Sequence, residues 1–193
     1  MTTPQDLMAL LSRALDQTGT AIVGVRPEQA TSPTPCRSWD VRALVNHVVD
    51  EVHQFAVVTG GGERNPLGID VIGDDWGGAY CTAAAELLAV WRRPGALDRA
   101  QRLSFGEVPA PWAVRRQITE LGIHAWDISK ATGQPTDLDP EVGEVALQWL
   151  EDNLKPQMRG DEADGHQIGP ELPVPDGAPL YDRIAAFAGR DPR

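Results

Sequence analysis

Residues 120–127 read ELGIHAWD, and this stretch decides the fold that the sequence predicts. It lies inside an apolar pattern of helical period, so Glu120 and His124, four positions apart, project from one face of a helix. Side chains one turn apart can reach the same metal ion. A second histidine, His47, lies in another segment of helical pattern. Two helices could therefore bring two imidazoles and one carboxylate together, a ligand set that zinc uses when it keeps one position open.

The segments on both sides of this stretch also have helical periodicity, and turn-forming residues separate them. The predicted helices run from Pro4 to about Gly24, from Trp39 to about Thr59, from about Asp74 to Arg92, from between Pro109 and Pro111 to Thr132, from Pro140 up to Lys155, and from Leu180 to Ala188. Only one short extended piece, Arg102 to Phe105, is predicted. Neither an alternation of strands and helices nor a solenoid repeat is visible. The sequence therefore predicts an all-α fold.

The character of the chain changes after Pro156. Residues 1–156 contain five of the predicted helices and are expected to form a helical bundle. Residues 157–193 are rich in Gly, Pro and Asp, and their one short helix is expected to dock Leu180, Ile184 and Phe187 onto the bundle. The sequence predicts one bundle domain followed by an extended tail.

Composition and charge narrow the function classes. The chain has 193 residues, of which 41% are hydrophobic, and it carries a formal net charge of -11. That length and apolar content suffice for one domain with a substantial core. The dispersed basic residues argue against nucleic-acid binding, and charged residues interrupt every apolar window before it could span a bilayer. We expect a soluble, cytoplasmic protein whose partners are small molecules, with no nucleic acid and no membrane.

The two cysteines, Cys36 and Cys81, give little chemistry by themselves. They are too few for a secreted disulfide framework and lack the paired spacing of a structural zinc site. Both are interpreted as small buried hydrophobic side chains or bystander thiols.

Spacing alone leaves alternatives open for the candidate ligands. A histidine on a helix is more often a partly buried side chain with a polar partner than a metal ligand. Burying Glu120 and His124 on an apolar helix would, however, be costly unless they are paired or coordinated. Glu51 follows His47 by four residues and meets the same geometric rule as Glu120. Asp127, three residues after His124, could orient that imidazole through its free ring nitrogen, or it could be a surface carboxylate.

The remaining histidines and three arginines are expected to lie at the surface or in loops, outside the candidate metal site. His53 is expected at a solvated rim, and His166, beside acidic residues of the tail, is expected in a loop. Arg115, Arg116 and Arg183 could anchor an anionic substrate, but solvated charge is the more common role of such residues.

Three stretches resemble a known family. Residues 36–47, CRSWDVRALVNH, and residues 120–133, ELGIHAWDISKATG, are similar to the two helical signatures of DinB-like metal-binding proteins of the mycothiol-dependent maleylpyruvate isomerase type. Residues 168–175, IGPELPVP, together with Asp191 and Pro192, resemble the tail of the short actinobacterial members. The resemblance implies a DinB-like four-helix bundle with an additional C-terminal helix and an extended tail.

The resemblance also implies a site. Matched residue by residue, it makes His47, Glu120 and His124 the ligands of a divalent metal ion, usually zinc, and it ranks Glu51 below Glu120. Asp127 is then the candidate outer partner of His124. The family's thiol is mycothiol, which enters as the implied cofactor beside zinc. The isomerase proper has an additional C-terminal domain that contributes to catalysis, whereas the tail here is too short to form one.

Three functions follow from these expectations. The leading one is an enzyme, a metal-dependent thiol transferase or isomerase-like protein, whose partners are a small-molecule thiol and an electrophilic substrate. The alternative is a non-catalytic metal-binding or small-molecule-binding helical bundle. The third is a plain helical domain in which His47, Glu120 and His124 form only a buried hydrogen-bonded cluster. A homodimer is a further expectation.

Overall fold

The chain forms six helices and a small hairpin in the part that the computed structural model describes, residues 3–66, 68–103, 105–161 and 168–193. The helices are α1 (Pro4–Val23), α2 (Val41–Thr59), α3 (Trp76–Trp91), α4 (Ala110–Thr132), α5 (Pro140–Asn153) and α6 (Leu180–Phe187), and the strands are β1 (Gln101–Leu103) and β2 (Gly106–Val108). Short 3-10 turns occupy Pro27–Gln29 and Pro156–Met158. The predicted all-α, DinB-like fold is confirmed.

Local capping explains where the helices begin and end. Thr3 and Asp6 form the capping box of α1, and Gly133 ends α4 with a φ of 69°, a conformation that glycine adopts without steric cost. The start predicted for α2 is wrong by two residues. The helix begins at Val41 instead of Trp39, because the Asp40 carboxylate caps it by accepting a hydrogen bond of 2.8 Å from the amide of Ala43.

The first four helices enclose the main core. α1 packs chiefly on α4, α2 chiefly on α3, and α2 also lies against α4. Each helix buries an apolar stripe, and the fully buried side chains include Leu11, Leu44, Leu87 and Ile118, one from each helix. Burying such a side chain contributes roughly 1.5–3 kcal/mol. This packing fixes the α2–α4 seam, where the candidate ligands lie.

A second apolar cluster joins α5 and α6 to the outer side of α4. Trp126, Leu150 and Ile184 are buried in it, while Leu180 and Phe187 pack against it at the edge. The docking residues expected in the short last helix therefore do contact the bundle. The division into a bundle ending at residue 156 and a separate tail stays a prediction.

The extended piece predicted at Arg102 to Phe105 overlaps β1 at Arg102 and Leu103, whereas Phe105 lies in the turn before β2 and Ser104 lies outside the described residues. β1 pairs antiparallel with β2, with Gln101 opposite Val108 and Leu103 opposite Gly106. The sequence analysis missed the second strand, which is only three residues long.

No helix among the described residues is long and apolar enough to cross a bilayer. The interpretation of His166 as a loop residue falls outside those residues.

Candidate metal centre on the α2–α4 seam

His124 lies at the centre of the candidate site, on the inner face of α4 with 6% of its surface exposed. Its two ring nitrogens face different partners on the same helix. Nδ1 lies 3.0 Å from Oδ2 of Asp127, and Nε2 lies 3.8 Å from Oε2 of Glu120. The first distance is a hydrogen bond and the second is too long for one. The nitrogen directed to Glu120 is therefore left with its coordinating capacity unused.

His47 reaches the same point from α2. Its ring centroid lies 5.1 Å from that of His124, with the two ring planes at 82°. Trp39, just before α2, stacks on His47 at 4.4 Å and lies 6.4 Å from His124. The indole was not among the predicted site residues, although it belongs to the stretch 36–47 on which the family resemblance rests. It covers both imidazoles on one side.

The structure places His47 in ring contact with His124 and Glu120 3.8 Å from it, but among the described residues the ligand atoms within 4.8 Å of one another are those of Cys36, His124 and Asp127. The role of His47, Glu120 and His124 as metal ligands stays a prediction. His47 is half-buried, and the Glu120 side chain is 34% exposed, so the cluster opens to solvent at one edge. Arg116, one turn before Glu120, lies 3.8 Å from its Oε1 and stacks over Phe55 at 5.7 Å. The interpretation of Arg116 as a solvated charge is therefore wrong, because its side chain is only 23% exposed.

The environment acts in opposite directions on the two imidazoles. Burial lowers the pKa of His47 to about 3, and the neighbouring His124 adds to this shift. Burial would also lower the pKa of His124, but the hydrogen bond to Asp127 outweighs it and raises that pKa to about 10. The neutral imidazole of His47 carries the lone pair that a metal ligand requires, whereas His124, whose pKa is raised, would have to release its Nε2 proton to bind a metal ion.

A second grouping with metal-binding capacity lies on the other side of the His124 ring. Cys36, His124 and Asp127 bring one ligand atom each to within 4.8 Å of one another. Cys36 packs against the main core as expected, and its Sγ also lies 3.3 Å from Oδ2 of Asp127, a polar contact that the sequence did not predict. The signal available in the sequence was the position of Cys36 at the start of the stretch 36–47.

Arg190, from the C-terminal segment, completes this second grouping. Its guanidinium lies 3.2 Å from Oδ1 of Asp127 and 3.5 Å from Cys36 Sγ. Burial would raise the pKa of Asp127, but Arg190 and His124 outweigh it and lower the pKa to about 2. No periodic or local signal connects residues 36, 127 and 190, so the sequence analysis could not find this contact.

The donor set decides which side of His124 suits a cation better. On the Nδ1 side, Asp127 Oδ2 already accepts from His124, Cys36 and Arg190, and the guanidinium would repel a metal ion. On the Nε2 side the carboxylate of Glu120 lies 3.8 Å away, and the ring of His47 is in edge contact with the ring of His124. Zinc sites commonly consist of such a set with a hydrogen-bonded carboxylate behind the histidine. The residues present therefore fit a divalent ion at the Nε2 side.

Glu51 and His53 occupy neighbouring positions on α2. Glu51 is held by Arg64, whose Nη2 lies 2.6 Å from its Oε1, so this rival ligand already has a cationic partner. His53 pairs with Glu86 at 3.1 Å on the exposed surface, as expected for a rim residue.

Comparison with known proteins shows which family the chain is related to. Two relatives, both described as uncharacterized proteins of Mycobacterium tuberculosis, one from strain CDC 1551 and one from strain H37Rv, are each 34% identical over 181 residues. The match covers 94% of this chain and 96% of each relative. No solved structure matches significantly. Residues 11–129, which include α2 and most of α4, match the family described as the mycothiol maleylpyruvate isomerase N-terminal domain. The chain belongs to this family of DinB-like, mycothiol-related proteins.

Proposed function

We propose that this protein binds a divalent metal ion, zinc, through His47, Glu120 and His124, and uses it to activate a low-molecular-weight thiol for reaction with an electrophile. The family relationship supports mycothiol as the thiol. The reaction class is thiol transfer or a thiol-dependent isomerisation. Small-molecule thiol and electrophile are the proposed partners.

One observation carries this proposal, the orientation of the His124 ring. Because Nδ1 bonds to Asp127, Nε2 faces Glu120 at 3.8 Å, and the His47 ring lies in contact with the His124 ring. A histidine whose far nitrogen is fixed by a buried carboxylate presents its near nitrogen rigidly, which is the usual arrangement behind metal-binding imidazoles. The Glu120 side chain is 34% exposed, so this edge of the cluster is open to solvent.

The chemistry divides between the ion and the chain. Held by His47, Glu120 and His124, a zinc ion would supply the charge that lowers the pKa of a thiol from about 8.5 and makes the thiolate available at neutral pH. The released proton needs an acceptor, and Oε2 of Glu51 is a buried carboxylate oxygen without a hydrogen-bond partner among the described residues. The thiolate sulfur then forms a bond to an electrophilic carbon, and the displaced electron pair moves onto the electrophile or its leaving group. Trp39 shields the imidazoles from water on one side.

Metal content in matched variants tests the site. We expect one zinc per chain in the wild type, and loss of zinc in His47→Ala and Glu120→Gln. Cys36→Ala is the matched control, since it removes a residue from the opposite side of the His124 ring and should retain the metal. Loss of zinc in Cys36→Ala with retention in His47→Ala would move the ion to the Cys36, His124 and Asp127 grouping and overturn this assignment.

Activity is tested separately with the zinc-loaded protein. Mycothiol and a panel of small electrophiles should react faster than with the metal-stripped protein, and His47→Ala should behave like the stripped protein. A zinc-loaded protein with no rate above this control across the panel would support the alternative, a metal-binding bundle without catalysis.

A further inference from the structure

Asp127 is the most heavily bonded carboxylate near the site. It has no exposed surface, and three separated parts of the chain donate to it. His124 of α4 donates from Nδ1 at 3.0 Å, Cys36 from its thiol at 3.3 Å, and Arg190 from Nε at 3.2 Å and Nη2 at 3.3 Å. Arg190 is the permanently charged donor of the three and contacts both carboxylate oxygens.

The C-terminal segment is built to hold Arg190 in this position. The Arg190 amide donates to Ala185 O at 2.8 Å, and its Nη1 donates to Ala188 O at 3.0 Å. Gly189 has a φ of 82°, and a Cβ there would lie 2.6 Å from Gly169 Cα, so only glycine fits at this turn. The tight backbone turn at Gly189 therefore fixes the point from which the Arg190 side chain extends, and the bond to Ala188 O restrains the guanidinium. Its side chain is 11% exposed.

We propose that Arg190 is a positioning residue of the metal centre, which fixes the Asp127 carboxylate so that His124 keeps Nδ1 bonded and Nε2 directed to His47 and Glu120. This role rests on the proposed function. It makes the C-terminal segment part of the site, although that segment lies outside the matched residues 11–129.

The physical reason is that Asp127 alone does not determine its own orientation. A carboxylate can rotate about its terminal bond, and the bonds from His124 and Cys36 both end on Oδ2, so they do not fix Oδ1. Arg190 bonds to both oxygens and removes the freedom, since a guanidinium fork matches a carboxylate in one plane. Without Arg190, the Asp127 carboxylate can turn and the His124 ring can follow it. The ligand nitrogen would then no longer be held in place.

Zinc affinity in charge variants tests this role. We expect Arg190→Gln to weaken zinc binding about 10- to 100-fold, the range typical of the outer partners of metal ligands. Arg190→Lys should recover part of the loss, because an ammonium keeps the charge but not the fork. Arg193→Gln is the matched control, since Arg193 is 89% exposed and pairs with Asp191, and it should bind zinc like the wild type.

Two further measurements separate positioning from general stability. In the zinc-loaded protein, the NMR signal of the His124 Nδ1 proton should be protected from exchange in the wild type and lost in Arg190→Gln. In an Asp127→Asn background, Arg190→Gln should change zinc affinity less than twofold, because its partner is already altered. If Arg190→Gln does not fold, the same two measurements are made on Arg190→Lys, for which we expect a smaller change in proton protection and in zinc affinity.

The outcomes are distinguishable. A wild type that binds no zinc overturns the proposed function, and the role of Arg190 with it. A wild type and an Arg190→Gln variant that bind zinc equally overturn the role of Arg190 alone. Equal losses from Arg190→Gln in the wild-type and Asp127→Asn backgrounds would also overturn it, because they would show that Arg190 does not act through Asp127.

Discussion

Glu51 of α2 and Arg64 of the following loop form an ion pair of 2.6 Å, and it uses only one of the two oxygens of Glu51. The other oxygen, Oε2, is buried and has no hydrogen-bond partner in the described part of the chain. Glu51 lies one turn from His47, and Phe55, the next residue on that face, contacts Arg116 of α4. Since His47 contacts His124, Glu51 lies at the level of Glu120 on the same seam.

This arrangement predicts different roles for the two glutamates. Glu51→Gln should leave the zinc dissociation constant within about threefold of wild type, because Arg64 already occupies the Glu51 carboxylate. Glu120→Gln should raise the constant more than about 100-fold, beyond the range of outer partners. Competition against a chelator of known affinity measures both, with the exposed Glu86→Gln as control. A loss in Glu51→Gln as large as that in Glu120→Gln would make Glu51 a ligand.

Glu51→Gln should nevertheless lower the reaction rate with mycothiol. An amide keeps the shape of the side chain but cannot accept the thiol proton, and removing a positioned base costs about 100-fold or more. The rate is measured in zinc-loaded protein at neutral pH. An unchanged rate would show that the proton leaves by another route.

Asp127→Asn should destabilise the protein even without metal. The substitution leaves the largely buried Arg190 without its carboxylate, and breaking a buried ion pair from one side costs about 3–5 kcal/mol. Urea unfolding of the metal-free protein gives the free energy of unfolding. Asp191→Asn is the control, because Asp191 and Arg193 form an exposed pair and exposed pairs contribute about 0–1 kcal/mol. Equal effects of the two substitutions would contradict the buried pair.

The features of the fold that depend on local sequence signals could be predicted from the sequence. Gly133 after the apolar pattern of α4, and Asp139 with Pro140 at the start of α5, predict helix ends that the structure places at the same residues. The ends of the first strand, the presence of the second strand and the first residue of α2 were not predicted correctly, because several neighbouring residues have similar local preferences. The contact of Arg190 with Asp127 depends on how the chain returns to α4 over 63 positions, and no local pattern encodes that return.

Asp139 predicts part of the acid sensitivity of the fold. It caps α5 and pairs with Arg13 of α1 at 2.6 Å. Burial alone would raise the pKa of Asp139, but the hydrogen bonds from Arg13 outweigh it and hold the pKa below its usual range. A lowered folded-state pKa contributes stability that is present above the unfolded pKa, near 3.9, and is lost as pH falls through the folded value.

Asp139→Asn isolates this contribution. Asparagine caps a helix about as well as aspartate but does not titrate, so only the charge is removed. We expect the variant to be less stable than wild type above the unfolded pKa of aspartate and the two to converge as pH falls through the lowered pKa of Asp139 in the folded protein. Chemical unfolding across this pH range measures the difference. A difference that stays constant with pH would show that the Arg13 pair contributes nothing.

Two glycines inside helices, Gly122 and Gly143, are expected to differ in how substitution by alanine changes the free energy of unfolding. A Cβ at Gly143 of α5 would lie 2.7 Å from Leu180 Cδ2 and 3.0 Å from Tyr181 Cε2, so α6 packs directly on this glycine. A Cβ at Gly122 of α4 would lie 3.6 Å or more from its neighbours, an ordinary contact distance. Alanine favours a helix over glycine by about 1 kcal/mol in both places. Only at Gly143 does a steric cost oppose that gain.

We therefore expect Gly122→Ala to raise the free energy of unfolding by up to about 1 kcal/mol and Gly143→Ala to lower it relative to Gly122→Ala by about 1–3 kcal/mol. Urea unfolding of both variants, with m-values compared to wild type, measures the difference. Because Tyr181 is fixed by its hydroxyl bond of 2.8 Å to Asp139 O, its ring cannot turn aside cheaply. If Gly143→Ala were as stable as Gly122→Ala, α6 would be able to move away from α5 without lowering the free energy of unfolding. The contact between α5 and α6 would then not be what holds the C-terminal segment against α4.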